Sequence, residues 1–512
     1  MLKCFRKMLS SKYFLRYRVW LEIIKWQGLL KVNHLTEKEN TSSKYFLVAT
    51  NIGSNLNALA FDITLGLALR SRGHKVKFSL CNGALTACMN CELNKYRDIE
   101  EFKLKKSKKF CTECSRTGKK LLKAGKFEPW LINEQLAPIP KPWDLEVADS
   151  GAKRFLAKGK IDNTEEYISA FQEFLYSSQV LNAAASDLFL SENFDLLVAH
   201  HGIYVPQGNM VESAKEHGVP VVTWVQGYRK QTFVLGIGDT YHKTLILDNP
   251  NIPELDSIRR KEIVNYLNSR DIGDRDWIRF GKVDIGNSDD IYIGDNVHKV
   301  LLMTNVSWDA QLHYKSRIFQ DMHAWIEATI NWFIQHQNLD LIIRIHPAEV
   351  TGKIKSRDPI YHFIASKFST LPKNIIIVKP EQNVSTYKLM KSCGLGLIFA
   401  TKAGIELAAQ GVPIVVAGES WIRGKGLSYD PNSQQEYFDL LDRFSQDSNN
   451  LKVDQEAALK FAHFFFFQQS FEVKSIKSLD YYPYLRPNLK NDWDSTDPGL
   501  LRIILQLESL VA

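Results

Sequence analysis

Four of the seven cysteines form two CxxC hooks, Cys88-Met-Asn-Cys91 and Cys111-Thr-Glu-Cys114, with 19 residues between them. Thiolates at this spacing can wrap one tetrahedral ion, so structural zinc is the first expectation. An iron–sulfur cluster uses the same ligands, and four reduced thiols without metal are the plain alternative. A second set of reactive groups lies farther along. Arg344 and His346 stand where LIIRIHP leaves a strand, so period-two alternation turns both to one side before Pro347 ends the ladder. A guanidinium fork and an imidazole donor aimed at one anion would neutralise charge gathering on a departing phosphate; the competing reading pairs them internally with Glu349. Ser385 and Thr386 open VSTYKLM, where a hydroxyl can cap a helix whose first amides bind phosphate. In Thr401-Lys402-Ala403-Gly404-Ile405-Glu406, Gly404 permits close approach, and Glu406 can accept two hydrogen bonds from a sugar or ribose diol or else be a surface acid.

In the first half, His200, His201 and Gly202 end one strand, and Gln226, Gly227, Tyr228 and Arg229 end the next. Imidazole titrates close enough to neutrality to take a proton from an acceptor hydroxyl, which makes His201 the preferred base candidate, against a packed or capping histidine. Asp309, beside Trp308 and near His313, is the second acid/base candidate.

These groups need rigid strands behind them. KYFLVAT, the helical AFDITLGLALRSRGHK and VKFSLC make a β-α-β opening, and NFDLLVAHHG, NMVESAKEHG and GVPVVTWVQGYR repeat it. A second alternation begins at VLLMTN and continues through LDLIIRIHP, NIIIVKP, LGLIFA and VPIVVAG. The fold class expected is α/β, two Rossmann-like doubly wound domains facing across a cleft, with ligand-gripping loops at the carboxyl ends of the strands. The expected map is a basic helix and linker over 1–43, an acceptor-side domain over 44–240 with a cysteine-rich insertion at 82–126, and a peripheral or linking segment over 241–297. A donor-binding domain over 298–435 and a helical, aromatic region over 436–512 that packs at the junction complete it. No GxGxxG opens either sheet and no GxxxxGK[ST] occurs, which removes the usual warrants for a nicotinamide enzyme or a P-loop ATPase.

The 512 residues carry a net charge of +8, and residues 1–31 hold eight basic groups against one acid, Glu22. The remaining body is almost neutral, so a nucleic-acid-binding surface is not expected. Val19, Ile23, Trp26 and Leu30 repeat at helical spacing, which suits either an interfacial helix on an anionic membrane, each basic group contributing about 1 kcal/mol near the surface, or a helix docked on its own protein. The odd cysteine count and the lack of an export signal or spanning segment place the chain in the cytoplasm, in one version peripheral on the inner membrane.

The ordered set RIHPAE (344–349), VSTYKLM (384–390) and TKAGIELAAQGVPIVVAGESW (401–421) resembles the bacterial capsule polysaccharide biosynthesis proteins, which are similar to two-domain glycosyltransferases of the GT-B fold. The resemblance implies that His346-Pro347 meets a donor phosphate, that Ser385 and Thr386 lie at the donor pocket, and that Glu406 holds the donor's sugar or ribose. Members of that family include transferases using a cytidine-monophosphate-activated acidic sugar. Where they favour TSTxGxE, this chain has Ala400-Thr401-Lys402-Ala403-Gly404-Ile405-Glu406, and Lys402 adds a positive charge. The activity expected is transfer from a nucleotide-sugar donor to a surface or capsular glycan, lipid-linked in one version, with no metal at the catalytic site. A nucleotide-sugar epimerase or hydrolase, and a non-catalytic scaffold of a polysaccharide assembly complex, are the alternatives.

Overall fold

The computed structural model describes residues 12–32, 42–105, 108–159, 164–240, 242–244, 252–270, 275–277, 291–309 and 318–512. Tyr45–Asn51 (β1) is buried at nearly every position, as a strand covered on both faces must be. Its alternate side chains enter different cores. Phe46 and Val48 join Leu59, Ile63 and Phe78, while Leu47 and Ala49 join Phe155, Phe174 and Leu181. Lys75–Cys81 (β2), Pro129–Ile132 (β3), Leu196–His200 (β4) and Val221–Gln226 (β5) lie parallel to it in the order β3-β2-β1-β4-β5. Thr232–Ile237 (β6) continues the sheet antiparallel to β5.

A second sheet is wholly parallel. It contains Lys299–Met303 (β7), Asp340–Arg344 (β8), Ile375–Val378 (β9), Leu395–Ile398 (β10) and Ile414–Val416 (β11), in the order β11-β10-β7-β8-β9. Leu301 and Ile342 face one core, and Leu302, Leu341 and Ile343 face the other. The molecule is therefore two-lobed, each lobe built on an open α/β sheet.

No separate cysteine-rich insertion is evident, which corrects the expectation for 82–126. That stretch is the crossover between parallel strands β2 and β3, a connection that needs a helix to span the sheet. Its helix Lys108–Ala124 delivers Leu121, Leu122 and Ala124 to the core under β2. Gly118 lets this helix come close, since a Cβ there would lie 2.9 Å from Gly53 Cα and 2.7 Å from Leu80 Cδ1.

The chain crosses between lobes again near its end. Helix Gln455–His463 packs Ala458, Leu459 and Ala462 into the second lobe. The run Phe464–Gln468 then wedges Phe465 and Phe466 among Tyr228, Tyr266 and Trp421, with ring centroids 5.0 to 6.1 Å apart. Ser470–Glu472 (β12) finally pairs antiparallel with β6, and helix Pro498–Ser509 buries Ile503, Ile504 and Leu507 in the first lobe.

Helix Lys12–Val32 is docked on the first lobe. The side expected to meet lipid faces protein instead: Trp26 and Leu30 are buried in the core, with Val19 and Ile23 packed against it. Among the described residues no helix is long and apolar enough to cross a membrane. The docked helix is held by a buried acid. Ile476–Ser478 (β13) and Leu485–Pro487 (β14) form a hairpin, and from β14 Arg486 donates Nε to Glu22 at 2.9 Å and a terminal nitrogen at 3.0 Å. Tyr481 Oη at 2.9 Å and Lys25 Nζ at 3.1 Å also donate to Glu22. Burial alone would raise the Glu22 carboxyl, but the Arg486, Lys25 and Tyr481 hydrogen bonds hold it below its ordinary 4.5. A carboxyl lowered by folding stabilises fully above its unfolded value and loses that contribution as pH falls through its folded value. Glu22→Gln, which leaves Arg486 without its anion, is expected to cost about 3 kcal/mol at pH 7. The gap between the urea midpoints of variant and parent should hold constant above pH 5 and narrow as pH drops below about 4.5.

Candidate functional site

β8 ends at Arg344, and its neighbours decide what that residue can do. Its guanidinium is buried and turned toward the loop after β9: Nε donates to Thr386 Oγ1 at 3.3 Å, and the terminal nitrogens donate to the carbonyls of Lys379 at 2.8 Å and Val384 at 3.3 Å. Burial lowers its pKa to about 10, which leaves it charged at neutral pH. Arg344 thus fixes the loop that carries Ser385 and Thr386. Ser385 Oγ accepts from the Lys388 amide at 3.3 Å as the N-cap of helix Thr386–Ser392.

Beyond Arg344 the chain turns at His346-Pro347. The His346 amide donates to Thr304 Oγ1 at 3.0 Å, and Nδ1 accepts from the Ala348 amide at 3.1 Å, which assigns the ring proton to Nε2. Burial, with Arg344 and Lys402 nearby, drives its pKa down to about 4, so the half-buried imidazole is a neutral donor. Glu349 does not pair with Arg344. It is buried, accepts from the Ile360 amide at 3.1 Å through Oε2, and is pushed up to about 8 chiefly by burial.

The next strand end carries the densest charge. Glu406 is 1% exposed and has two cations on it: Lys402 Nζ at 3.1 Å from both oxygens and Arg270 Nε at 2.8 Å from Oε1. Tyr387 Oη lies 3.4 Å from Oε1. Burial would raise the Glu406 carboxyl, but Arg270 and Lys402 hold it below the usual carboxylate range. Arg270 also pairs with Asp276, and Tyr266 Oη donates to Asp276 at 2.9 Å. Burial and the neighbouring Arg270, opposed by Glu406 and Asp276, pull the Lys402 ammonium down to about 8. Its Nζ stands 4.6 Å above the ring of Tyr228, a residue of the first lobe. Gly404 serves packing, since a Cβ there would sit 2.5 Å from Ile398 Cδ1.

In the first lobe β4 ends at His200, and His201 follows it. His201 has φ +66°, and its amide donates to the Trp224 carbonyl at 2.9 Å. This left-handed turn puts its ring 5.9 Å from Tyr204 and 6.3 Å from His242, which stacks on Trp421 of the second lobe at 5.8 Å. Tyr204 Oη donates to Asp309 Oδ1 at 3.3 Å. Asp309 has an exposed surface, yet crowding by protein raises its carboxyl, with Arg154 and Tyr204 opposing. Exposure together with desolvation marks a group inside a concavity. Tyr204 therefore links His201, of the first lobe, to Asp309, of the second. His313 lies outside the described residues.

The cysteines require a correction. Among the described residues no group of three or more His, Cys, Asp or Glu side chains is arranged to hold a metal ion, so Cys88, Cys91, Cys111 and Cys114 do not form the expected zinc or iron–sulfur centre. Cys88 and Cys91 hydrogen-bond to each other, and Cys114 Sγ accepts from the Ser54 amide at 3.3 Å. Burial raises the Cys111 thiol to about 12 and the Cys114 thiol above its ordinary value.

Arg270, Asp276, Tyr204, His242 and Trp421 were not singled out by sequence reasoning. Arg270 and Asp276 bracket RDIGDRD, whose polar, turn-rich composition reads as a linker and carries no signal of a buried pair.

Comparison with known proteins bears out the resemblance: residues 251–455 match the family model for capsule polysaccharide biosynthesis proteins. No curated protein matches the chain. Among solved structures, the beta Kdo 2,4 transferase KpsC of Thermosulfurimonas dismutans is 11% identical, covers 64% of this chain and 94% of its own, and has a TM-score of 0.35. UDP-GlcNAc 2-epimerase from Neisseria meningitidis, bound to UDP-GlcNAc, is 10% identical, with coverage of 83% and 99% and a TM-score of 0.29. The glycosyltransferase SnogD from Streptomyces nogalater is 12% identical, with coverage of 83% and 96% and a TM-score of 0.25.

Removing Arg270 leaves Glu406 buried with one cation instead of two. Arg270→Met is expected to destabilise the protein by about 3–5 kcal/mol in chemical denaturation, and adding Glu406→Gln should recover part of that loss, a double-mutant coupling that unconnected sites lack.

Proposed function

We propose that the protein is a glycosyltransferase that moves a sugar from a nucleotide-activated donor to a surface or capsular glycan in the cytoplasm. The observation that carries this reading is that strand ends of the second sheet bring together a neutral imidazole donor, His346, and a desolvated ammonium, Lys402. The matched family supports it for the second lobe. The donor's phosphate lies against His346 Nε2–H and Lys402 Nζ. An acceptor hydroxyl attacks the anomeric carbon, the bond from that carbon to the phosphate oxygen breaks, and the oxygen keeps the electron pair. The two donors stabilise the new charge, and the hydroxyl proton passes to His201. Asp309 orients this corner through Tyr204. Arg344 and Glu406 position the donor loop and Lys402 from behind, with Oε2 of Glu406 retaining capacity for a sugar or ribose hydroxyl.

Titration calorimetry with a panel of nucleotide sugars tests the reading. The parent protein is expected to bind one of them; His346→Ala is expected to weaken that binding by about tenfold or more with little change in melting temperature, and Lys402→Met to weaken it likewise while lowering the melting temperature, because Glu406 loses a cation. No binding by the parent overturns the reading.

His201→Ala should leave donor affinity near the parent's and slow sugar transfer to an acceptor glycan by about 10²–10⁴. Released monosaccharide as the sole product would identify a hydrolase, and an interconverted donor an epimerase.

A further inference from the structure

The N-terminal helix carries a second apolar face that its docking leaves uncovered. Val19, Glu22, Ile23, Trp26 and Leu30 point into the first lobe. Positions 17, 20, 24 and 28 fall on the opposite side by helical periodicity. Tyr17 is 54% exposed, Trp20 55% and Ile24 43%, and the Tyr17 and Trp20 rings stack with centroids 5.9 Å apart. Gly28 continues the stripe into open space, with nothing within 4 Å of where a Cβ would sit. The outer face of a docked helix is ordinarily polar. This one exposes two aromatic rings and an isoleucine along one line.

We propose that Tyr17, Trp20 and Ile24 dock the protein on the surface of an anionic lipid bilayer. Charge selects this occupant. Residues 1–31 carry eight basic groups and one acid, and that acid, Glu22, is turned inward and neutralised by Arg486 and Lys25. Lys31 is exposed beside the stripe, so a negatively charged surface meets basic and apolar groups together. Tyr and Trp rings suit the boundary between headgroups and acyl chains, where an apolar body and a polar tip are both satisfied. A second copy of the chain would bring the same positive segment against itself, which like-charge repulsion disfavours. The inference is independent of the transferase reading, because nucleotide-sugar binding and membrane docking use different surfaces and are measured separately.

Flotation of the full-length protein tests it, with vesicles of phosphatidylcholine alone and of phosphatidylcholine containing about one-third phosphatidylserine. The parent is expected to float with the anionic vesicles and to do so less at high salt. Tyr17→Ser, Trp20→Ser and Ile24→Ser combined should lower the bound fraction by about tenfold or more, with melting temperature and nucleotide-sugar binding unchanged. Ile24→Asp, a single change at an exposed position, should lower it as well and serves if the triple variant misfolds. Three results would overturn the proposal: a parent that stays unbound to anionic vesicles, variants that float as the parent does, or a concentration-dependent dimer that the variants dissolve, which would make the face a contact between copies.

Discussion

A carboxylate withdrawn from water, Glu406, holds the two lobes in register. Its desolvation is tolerable only because Arg270 and Lys402 both lie within 3.1 Å, and each cation has a further tie. Arg270 brings Asp276, Tyr266 and Tyr387, and so fastens helix Ser257–Ser269 and Asp276 to the helix Thr386–Ser392 of the second lobe. Lys402 rests on Tyr228, and Tyr228 packs against Trp421, Phe465 and Phe466. A change at Glu406 would therefore be felt in both lobes. That network is internal, and so little screened by salt.

Elements whose burial is local were legible in the sequence. The strands of both sheets read as apolar runs because each is covered on two faces, and the turn after β8 was marked by Pro347. The position of His346 at a strand end followed from that pattern. The direction of the Arg344 guanidinium did not. Its acceptors, Lys379, Val384 and Thr386, are 35 to 42 residues away in the chain, and only the packed sheet brings them together. Arg270 was hidden for a similar reason: a polar segment looks solvated until its partner Glu406, 136 residues farther along the chain, is known. The N-terminal helix shows the limit of periodicity itself. A helix with apolar residues on two sides announces that it is amphiphilic, and only the fold decides which side the protein takes.

The cysteine spacing misled for a geometric reason. Two CxxC sequences were read as two hooks, but Cys111 and Cys114 lie within the continuous helix Lys108–Ala124, whereas Cys88 and Cys91 lie on a turn. The helix is placed by its leucines and by close backbone contact at Gly118, so the thiols follow its packing. One of them serves the loop after β1, through the Ser54 amide.

The late return of the chain to the first sheet bears on how the molecule emerges from a ribosome. β6 is complete by Ile237, yet its open edge waits for Ser470–Glu472, and Glu22 waits for Arg486. Arg72 and His74 similarly meet Glu508, four residues from the last. The lobe translated first is thus finished last, and for most of synthesis it presents an unpaired strand edge and an uncovered hydrophobic helix to the cell. A chain truncated after the second lobe would lack more than a tail: its first lobe would be missing a strand, a core helix and the counter-charge of its own beginning.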